Sequence, residues 1–361
     1  MPPAPGSGIL LKAENVAKPF QEELKRALEG RSRAPRLVAI LGTSGTPSRM
    51  YAEFTRKACT DLGFDFVLRE TGAAIANSGL GEGEGVEEAI LEANEDPAVD
   101  GIMVYYPIFG PTQDQYLQQV VSPFKDVEGL HFQFHYNLYH NIRYIEPMSL
   151  LAPAGRSAPL SDAPPSAAPP PGTVKSILPC TPLAIVKTLE SCGVYNSLLA
   201  YGDRAYGRTI LVINRSEVVG RPLAALLAND GARVLSADVD SIQEYTKRPP
   251  PDAKEGVSDT KRRFHARHVV RACTLSLREC LAAADVVISA VPSAAYKVPT
   301  AQLKDGCICI NVSSEKNFEA DVRDKASMYL PAVGKVTIMM LLRNLLRLQQ
   351  YAEMLHHSSQ R

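Results

Sequence analysis

The sequence predicts an α/β protein with two domains. Short apolar runs typical of buried strands alternate with helical apolar patterns along most of the chain. This alternation is interrupted by a Pro-, Ala- and Ser-rich segment, 151–173, and then resumes. The length of 361 residues fits two domains, each with its own core. We therefore expect two α/β domains in succession, with a C-terminal helix that packs back on the first domain.

The first 150 residues contain three helix-like and three strand-like segments in alternation. Apolar residues three or four positions apart predict the helices, and short β-branched runs predict the strands. Gly63 follows the second helical pattern, a position at which glycine commonly ends a helix. The predicted segments are a helix with Val16, Phe20, Leu24 and Leu28 on one face, a strand over 37–41, a helix over 51–62, a strand over 64–68, a helix over 86–93 and a strand over 101–106.

The second half predicts another parallel layer. It opens with a helix, for which Thr181 is the expected N-cap and Pro182 the first helical residue. A segment rich in Lys, Arg, Pro and Asp, 247–263, is most simply a solvated loop. Apolar runs at 209–213, 233–237, 285–290 and 307–311 predict the strands. The expected division is a first domain over 1–150 that is completed by the helix 336–361, an insertion over 151–173 and a second domain over 174–335.

A polar turn after the strand 209–213 predicts a nucleotide site. Arg215 and Ser216 supply donors, Gly220 lets backbone approach a ligand, and free N–H groups at the following helix start can bind phosphate. Asp238 ends the next strand roughly twenty residues later, where a dinucleotide-binding Rossmann-type fold places the acid that binds ribose hydroxyls. Any βαβ unit with a surface aspartate gives the same spacing, so the pattern alone leaves both interpretations open.

Composition excludes several classes of function. The 39 basic and 39 acidic residues give zero formal net charge, which argues against a nucleic-acid partner held by bulk electrostatics. The seven cysteines are odd in number and form no CxxC pair, so we expect reduced thiols in the cytoplasm. The N-terminus has no signal-peptide pattern, and no apolar run is long enough for a membrane span.

Two further patterns imitate functional sites. The glycine-rich segment 79–85 resembles a phosphate loop, but its glutamates would repel a pyrophosphate, so we expect a flexible loop that leads into a helix at Val86. His131, His135 and His140 lack a carboxylate or cysteine at ligand spacing, so we predict no metal site.

Five ordered motifs carry a resemblance to a known family. The motifs are Ser48-x-x-Tyr51, Gly101-Ile102-Met103-Val104-x-x-Pro107, Lys125-Asp126-Val127-Glu128-Gly129, Pro179-Cys180-Thr181-Pro182 and Arg215-Ser216…Gly220-x-Pro222. Together they resemble the methylenetetrahydrofolate dehydrogenase/cyclohydrolase family over nearly the whole chain, interrupted by insertions around 71–83, 151–173 and 247–263. Tyr105-Tyr106 and the run 334–337 resemble the monofunctional NAD-dependent branch.

The resemblance implies a folate cleft between a catalytic domain and a Rossmann-type NAD-binding domain, in a homodimer joined through the latter. The implied reaction of one-carbon folate metabolism transfers a hydride from 5,10-methylenetetrahydrofolate to NAD and yields 5,10-methenyltetrahydrofolate. On the folate side, the implied roles are stacking on the folate for Tyr51, pterin binding for Glu128 and a place along the cleft for Thr337. Cys180 is implied to shape the cleft. On the cofactor side, Val291 and Pro292 are implied to lie beside the nicotinamide, and the residues implied to bind the cofactor are Arg215, Ser216, Gly220 and Asp238.

Two positions predict that cyclohydrolase activity is absent. Thr55 stands where the bifunctional relatives carry a lysine, and Tyr105 stands where they carry the glutamine that orients it. Lys125 and Asp126 belong to one of the motifs above. A second interpretation is that they only close their loop by local hydrogen bonds. Cys180 precedes a predicted helix, a position that can lower a thiol pKa, although hydride transfer needs no nucleophile.

Asp238 predicts a preference for NAD, because its carboxylate would repel the 2′-phosphate of NADP. Arg215 acts in the opposite direction, and we expect it to pair with Asp238 or with a pyrophosphate oxygen. The alternatives are a bifunctional NADP-dependent dehydrogenase/cyclohydrolase and a non-catalytic regulator that binds folate or nucleotide.

Overall fold

The computed structural model describes residues 6–152, 167–248 and 265–359, the side chains of the last helix up to residue 356. The first part of the chain forms β1 (Ile9–Leu10), α1 (Ala13–Leu28), β2 (Arg36–Leu41), α2 (Thr46–Leu62), β3 (Asp65–Glu70), α3 (Val86–Glu95), β4 (Gly101–Val104), α4 (Pro111–Val120) and α5 (Phe132–Tyr139). The rest forms β5 (Tyr144–Ile145), β6 (Val174–Lys175), α6 (Cys180–Ser191), β7 (Thr209–Ile213), α7 (Gly220–Asn229), β8 (Arg233–Ala237), β9 (Ile242–Thr246), β10 (Val269–Ala272), α8 (Leu277–Ala283), β11 (Val286–Ser289), β12 (Ile308–Asn311), β13 (Met328–Leu330) and α9 (Gly334–Ser359).

The smaller parallel sheet has the strand order β3-β2-β4. Its central strand β2 is apolar and buried from Leu37 onward, as expected for a parallel strand covered on both faces. Gly63 ends α2 in the left-handed conformation with φ 90°, which glycine adopts without steric cost. The six segments predicted in this half are all present, within a few residues at their ends.

The larger sheet has eight strands in the order β1-β13-β12-β11-β7-β8-β9-β10. The strands from β1 to β8 pair in parallel, and β9 and β10 continue the sheet antiparallel. Because β7 and β8 are parallel neighbours, the turn that starts at Asn214 and the carboxylate of Asp238 lie at the same edge of the sheet. This is the predicted Rossmann-type arrangement.

The structure differs from the sequence prediction at several places. Residues 9–10, assigned to the first predicted domain, form an edge strand of the larger sheet. Helix α6 begins at Cys180 with Pro179 as N-cap, so the assignment of Thr181 as N-cap is wrong. Strands β9 and β10 were not predicted. Lys247, placed in a solvated loop, is buried and donates to the Gly202 carbonyl and to Asp203, both at 2.8 Å. Residues 249–263 of that loop lie outside the described residues.

Helix α9 packs against α1 and α6, as predicted for a C-terminal helix that returns to the first half of the chain. Asn344 anchors it, because its buried Nδ2 donates to the carbonyls of Val127 and Leu178, both at 2.9 Å. The helix thereby fixes the Val127 loop relative to the segment that leads into α6. The predicted domain boundaries themselves stay a prediction.

The described helices include none that combines the length and apolar character needed to span a bilayer. Nor do the described side chains contain a group of three His, Cys, Asp or Glu residues placed to hold a metal. His131 instead caps α5, where its Nδ1 accepts from the Gln133 N–H at 3.3 Å.

Removal of the Pro-rich insertion by joining Leu150 to Val174 is expected to leave the melting temperature and the dehydrogenase activity nearly unchanged. Most of the segment, 153–166, lies outside the described residues. Its two flanks already meet, because Ile145 pairs with Val174 in the β5–β6 hairpin, and loop length contributes little to the closure entropy. The measurements are a thermal melt and kcat/KM of the deleted and full-length proteins. A large loss of solubility or folate binding would contradict the expectation.

Candidate active site

Four predicted site residues come from separate segments and meet in one cluster. Tyr51 lies on α2, Tyr105 follows β4, Glu128 lies in the loop after α4, and Cys180 begins α6. The rings of Tyr51 and Tyr105 are 6.0 Å apart and nearly perpendicular. Burial raises the pKa of Tyr51, and the nearby Cys180, Tyr105 and Glu128 raise it further. We call this group the aromatic–carboxylate cluster.

Glu128 is held with one carboxylate oxygen engaged. The Val104 N–H donates to its Oε2 at 2.9 Å, and no described group hydrogen-bonds to Oε1. Burial, against the lowering effect of the Val104 N–H and together with the nearby Asp126 carboxylate, raises the pKa of Glu128 to about 8. The carboxyl group therefore has an oxygen available for a ligand and titrates near neutral pH.

The loop that carries Glu128 is built by its neighbours. The Asp126 carboxylate accepts from the N–H groups of Glu128, Gly129 and His131 at 3.1, 2.9 and 2.8 Å. Lys125 Nζ donates to three carbonyl oxygens at the end of α3, at 2.7 to 2.9 Å. Both residues thus hold the loop in place, in agreement with the second interpretation given to them from sequence.

Gly129 lets this loop touch the entry to α6. Its φ is 73°, and a Cβ there would lie 2.7 Å from the carbonyl carbon and oxygen of Leu178 and 2.8 Å from the nitrogen of Pro179. The same contact places the Cys180 N–H 3.0 Å from the Glu128 carbonyl. A side chain at position 129 would push the two halves of the cluster apart.

Gly129→Ala is expected to lower the free energy of unfolding by about 2 kcal/mol or more, because left-handed backbone costs about 1 to 2 kcal/mol for a non-glycine residue and the clash adds to it. Gly306→Ala is the matched control, because its φ is 78° and a Cβ would meet nothing within 4 Å. Urea denaturation of the two variants isolates the contribution of the clash. Equal destabilisation would show that the close contact is unimportant.

Thr55 and Tyr105 lie together beside Tyr51. Thr55 is fully buried, and its Oγ1 donates to the Tyr51 carbonyl at 2.8 Å. Burial raises the pKa of Tyr105, and its buried hydroxyl has no hydrogen-bond partner among the described groups. Lys57, the next lysine on the helix, is exposed. Among the described residues, no lysine lies in the aromatic–carboxylate cluster.

The structure adds two residues that the sequence analysis missed. Tyr106 has a buried hydroxyl without a described partner, and burial together with Glu128 raises its pKa. Asp114 accepts from the N–H groups of Ile108 and Phe109 at 2.9 to 3.2 Å and so fixes the segment after Pro107. The Tyr-Tyr-Pro run was visible in the sequence, but the approach of Tyr106 to Glu128 depends on the tertiary fold.

Two further predicted site residues, Cys180 and Thr337, lie at the starts of α6 and α9. Burial raises the pKa of the Cys180 thiol, and Glu128 raises it further, so the lowering suggested by its helix-start position is not found. Thr337 is buried in the first turn of α9, with its hydroxyl 3.4 Å from the Val333 carbonyl. Its predicted role on the folate side of the cleft stays a prediction.

The predicted nucleotide turn is closed on itself. Ser216 Oγ accepts from the N–H groups of Val219 and Gly220 at 3.3 and 3.4 Å, and the Ser216 carbonyl accepts from Arg221 at 3.0 Å. The expectation that these N–H groups are free is therefore wrong. A Cβ on Gly220 would lie 1.8 Å from the Asn214 carbonyl oxygen, so the glycine serves the close packing of the turn itself.

Arg215 and Asp238 are adjacent, but their side chains do not form the expected pair. The Arg215 guanidinium donates to the carbonyls of Ser236 and Ser241 at 2.6 and 2.9 Å. Its backbone N–H, by contrast, donates to Asp238 Oδ2 at 3.0 Å. The exposed Asp238 carboxylate also accepts from the Val239 N–H at 2.8 Å and keeps lone pairs on both oxygens.

The end of β11 is held by a buried asparagine that the sequence analysis also missed. Asn317 exchanges two hydrogen bonds of 3.0 Å with the backbone of Val291 and accepts a third from Ser289 Oγ at 3.0 Å. Val291 and the exposed Pro292 are thereby fixed at the carboxyl end of the strand that neighbours β7.

The class of protein is a two-domain α/β dehydrogenase. It is defined by the strand order of the larger sheet, the nucleotide turn after β7 and the aromatic–carboxylate cluster together. The chain matches the family described as tetrahydrofolate dehydrogenase/cyclohydrolase, catalytic domain, over residues 11–128. It is 46% identical over 340 residues to a methylenetetrahydrofolate dehydrogenase [NAD(+)] from Schizosaccharomyces pombe, covering 94% of this chain and 92% of the relative. The chain belongs to the NAD-dependent methylenetetrahydrofolate dehydrogenase family, and the resemblance found in the sequence is confirmed.

A solved structure agrees with this assignment. The NAD-dependent 5,10-methylenetetrahydrofolate dehydrogenase from Saccharomyces cerevisiae is similar with a TM-score of 0.79 and 44% identity, covering 96% of this chain and 98% of that chain. Similarity to the bifunctional protein FolD from Halalkalibacterium halodurans is lower, at 26% identity over 356 residues, covering 94% of this chain and 97% of that protein.

Proposed function

We propose that this protein oxidises 5,10-methylenetetrahydrofolate to 5,10-methenyltetrahydrofolate and reduces NAD. The observation that carries the proposal is the aromatic–carboxylate cluster, in which Tyr51 and Tyr105 flank a carboxylate with a free oxygen. This arrangement suits a flat heterocycle whose amino-pyrimidine edge donates hydrogen bonds. Relatives that carry the name of this activity align along nearly the whole chain.

The proposed reaction is a hydride transfer and depends little on acid–base groups of the protein. The C–H bond of the bridging methylene breaks, its electron pair leaves with the hydrogen as hydride, and the remaining cation is delocalised over two folate nitrogens. NAD accepts this hydride when bound. The protein supplies orientation and excludes water, for which the buried rings of the cluster are suited. The raised thiol pKa of Cys180 is compatible with a reaction that uses no nucleophile.

The residues at the edge of the larger sheet fit NAD. Asp238 is exposed there, and among the described groups each of its carboxylate oxygens accepts one backbone N–H, so both can accept from ribose hydroxyls. We propose that Arg215, Ser216 and Gly220 shape the turn beside the pyrophosphate, and that Val291 and Pro292 border the nicotinamide.

We predict that the purified protein accumulates 5,10-methenyltetrahydrofolate when given NAD and substrate, and that it does not accelerate the decay of added methenyltetrahydrofolate. Hydrolysis needs an activated proton path, whereas Thr55 is buried with its hydroxyl engaged by the Tyr51 carbonyl. Absorbance of the methenyl product measures both reactions. Accelerated decay that Thr55→Ala or Tyr105→Phe abolishes would overturn this prediction, and absence of NAD reduction would overturn the proposed function.

We also propose a homodimer formed through the cofactor half. Strand β10 is an edge of the larger sheet in the described residues, and Val270 on it is 48% exposed. An edge strand with exposed apolar side chains favours pairing with another chain. Light scattering of the native protein and of Val270→Lys tests this, with a dimer expected only for the former.

A cytoplasmic location is proposed from the seven cysteines, all of which are free thiols, and imaging of a fluorescent fusion tests it.

A further inference from the structure

A cavity lies apart from the aromatic–carboxylate cluster and from the nucleotide turn after β7. It is bordered by α5, β6, α6, α7 and α9, and its cavity volume is about 120 Å³. None of the residues proposed to bind folate or NAD lines it. The chemistry of its lining therefore indicates which class of ligand it suits.

The lining is strongly basic. Five cationic side chains border the cavity, and three of them are neutralised by a carboxylate. The paired side chains are Arg143 with Asp230 at 2.7 Å, Lys187 with Glu190 at 2.8 Å and Arg343 with Glu23 at 2.9 Å. Within the described parts of the chain, Lys175 and Arg347 have no carboxylate partner. The cavity therefore has two uncompensated positive charges.

These two cations are in an unfavourable environment without a ligand. Lys175 and Arg347 are each half-buried, and burial lowers the pKa of both. Arg343 lowers the pKa of Arg347 further, because it adds a like charge nearby. Removing unpaired charges from water is costly, and an anion bound between them would offset that cost.

The remaining lining suits an organic group. Tyr201 presents its ring to the basic side chains, with the Arg143 guanidinium 4.9 Å and Lys175 Nζ 6.0 Å from the ring centroid. Apolar side chains form much of the wall, and the amides of Asn137 and Asn229 border it as well. The apolar members are Leu138, Ile142, Leu178, Leu183 and Leu226. Inorganic phosphate alone would leave this apolar wall uncovered.

We propose that this cavity binds a small organic phosphate monoester, with its phosphate between Lys175 and Arg347 and its organic part against the leucines and Tyr201. A phosphate monoester carries about −1.5 to −2 charges at neutral pH, which matches the two uncompensated cations. The planar guanidinium of Arg347 can bind two phosphate oxygens at once. A carboxylate can do the same, but its single charge would balance only one of the two cations.

The test is isothermal titration calorimetry with phenyl phosphate as the probe, carried out on the full chain with NAD at saturation so that the cofactor turn is occupied. We expect binding to the native protein at millimolar concentration or below. Lys175→Met/Arg347→Met is expected to weaken it at least about tenfold, or about 1.4 kcal/mol. Lys18→Met/Lys57→Met is the matched control, because it removes two exposed positive charges elsewhere and should bind as the native protein does.

Further arms distinguish the alternatives. Inorganic phosphate and benzoate should bind more weakly than phenyl phosphate, since each lacks one part of the proposed recognition. Arg347→Lys keeps the charge but loses the two-oxygen geometry, and an intermediate affinity is expected. It also provides a readout should the double variant fail to fold. Absence of binding to the native protein, undiminished binding to the double variant, or equal affinity for benzoate would overturn the proposal.

Discussion

Glu128→Gln is expected to lower kcat/KM for methylenetetrahydrofolate by at least about 100-fold, equivalent to about 2.7 kcal/mol. The free Oε1 of the carboxylate is the acceptor proposed for the amino-pyrimidine edge, and glutamine would present an NH₂ donor or a weaker neutral acceptor there. Steady-state assays with NAD in excess measure the effect.

Glu53→Gln is the matched control for this variant. Glu53 lies exposed on α2 and, within the described part of the chain, pairs with Arg56 alone, so its loss is expected to change kcat/KM less than about twofold. Retention of more than about a third of native activity by Glu128→Gln would exclude Glu128 from substrate binding.

The raised pKa of Glu128 gives this prediction a pH signature. With a pKa of about 8 the group is largely protonated in the free protein at lower pH, so kcat/KM should rise as pH increases toward 8. Because the folded-state pKa lies above the ordinary value of 4.5, the folded protein binds more protons than the unfolded chain between these two values. The contribution of Glu128 to stability is therefore fully present at low pH and is lost as pH rises to about 8. Both trends should disappear in Glu128→Gln.

Asp238→Ser is expected to shift the ratio of kcat/KM for NAD over NADP toward NADP by about 10- to 100-fold, or about 1.4 to 2.7 kcal/mol. The exposed carboxylate can accept from ribose hydroxyls and would repel a 2′-phosphate, whereas serine removes the repulsion. The Arg215 guanidinium is already at this edge and could then meet the phosphate.

The neighbouring Asp240 provides the control for the cofactor variant. It is exposed and two residues away, so Asp240→Ser removes the same charge from the same surface without changing the position that follows β8. Its ratio for the two cofactors should stay near the native value. An unchanged ratio in Asp238→Ser, or an equal shift in both variants, would show that Asp238 does not distinguish the ribose hydroxyls of NAD from the 2′-phosphate of NADP.

Local sequence patterns were reliable wherever neighbouring residues decide the structure. The runs 209–213 and 233–237 are strands with the predicted bounds, since buried parallel strands need continuous apolar residues. Gly63 ends its helix because only the backbone at that position matters. The five ordered motifs likewise identified the family, because their residue types and order are both visible in one dimension.

Patterns were less reliable where distant segments set the environment of a group. Cys180 stands at a helix start, which lowers a thiol pKa, yet burial against Glu128 raises it. Arg215 was expected to pair with Asp238 or with a pyrophosphate oxygen, but its guanidinium donates instead to the carbonyls of Ser236 and Ser241. The roles of Tyr106 and Asn317 were missed for the same reason, since each depends on a partner from another part of the fold.

The sequence by itself determined the α/β class, the six alternating segments of the first 150 residues, the parallel strands 209–213 and 233–237, and the family, because these follow from periodicity and motif chemistry along the chain. Only the tertiary structure decided that Glu128 has one free oxygen, that the cofactor turn is closed by Ser216, and that Lys175 and Arg347 share a basic cavity. Hydrogen-bond partners, burial and uncompensated charge are properties of groups brought together in space, and residues far apart in sequence supply them.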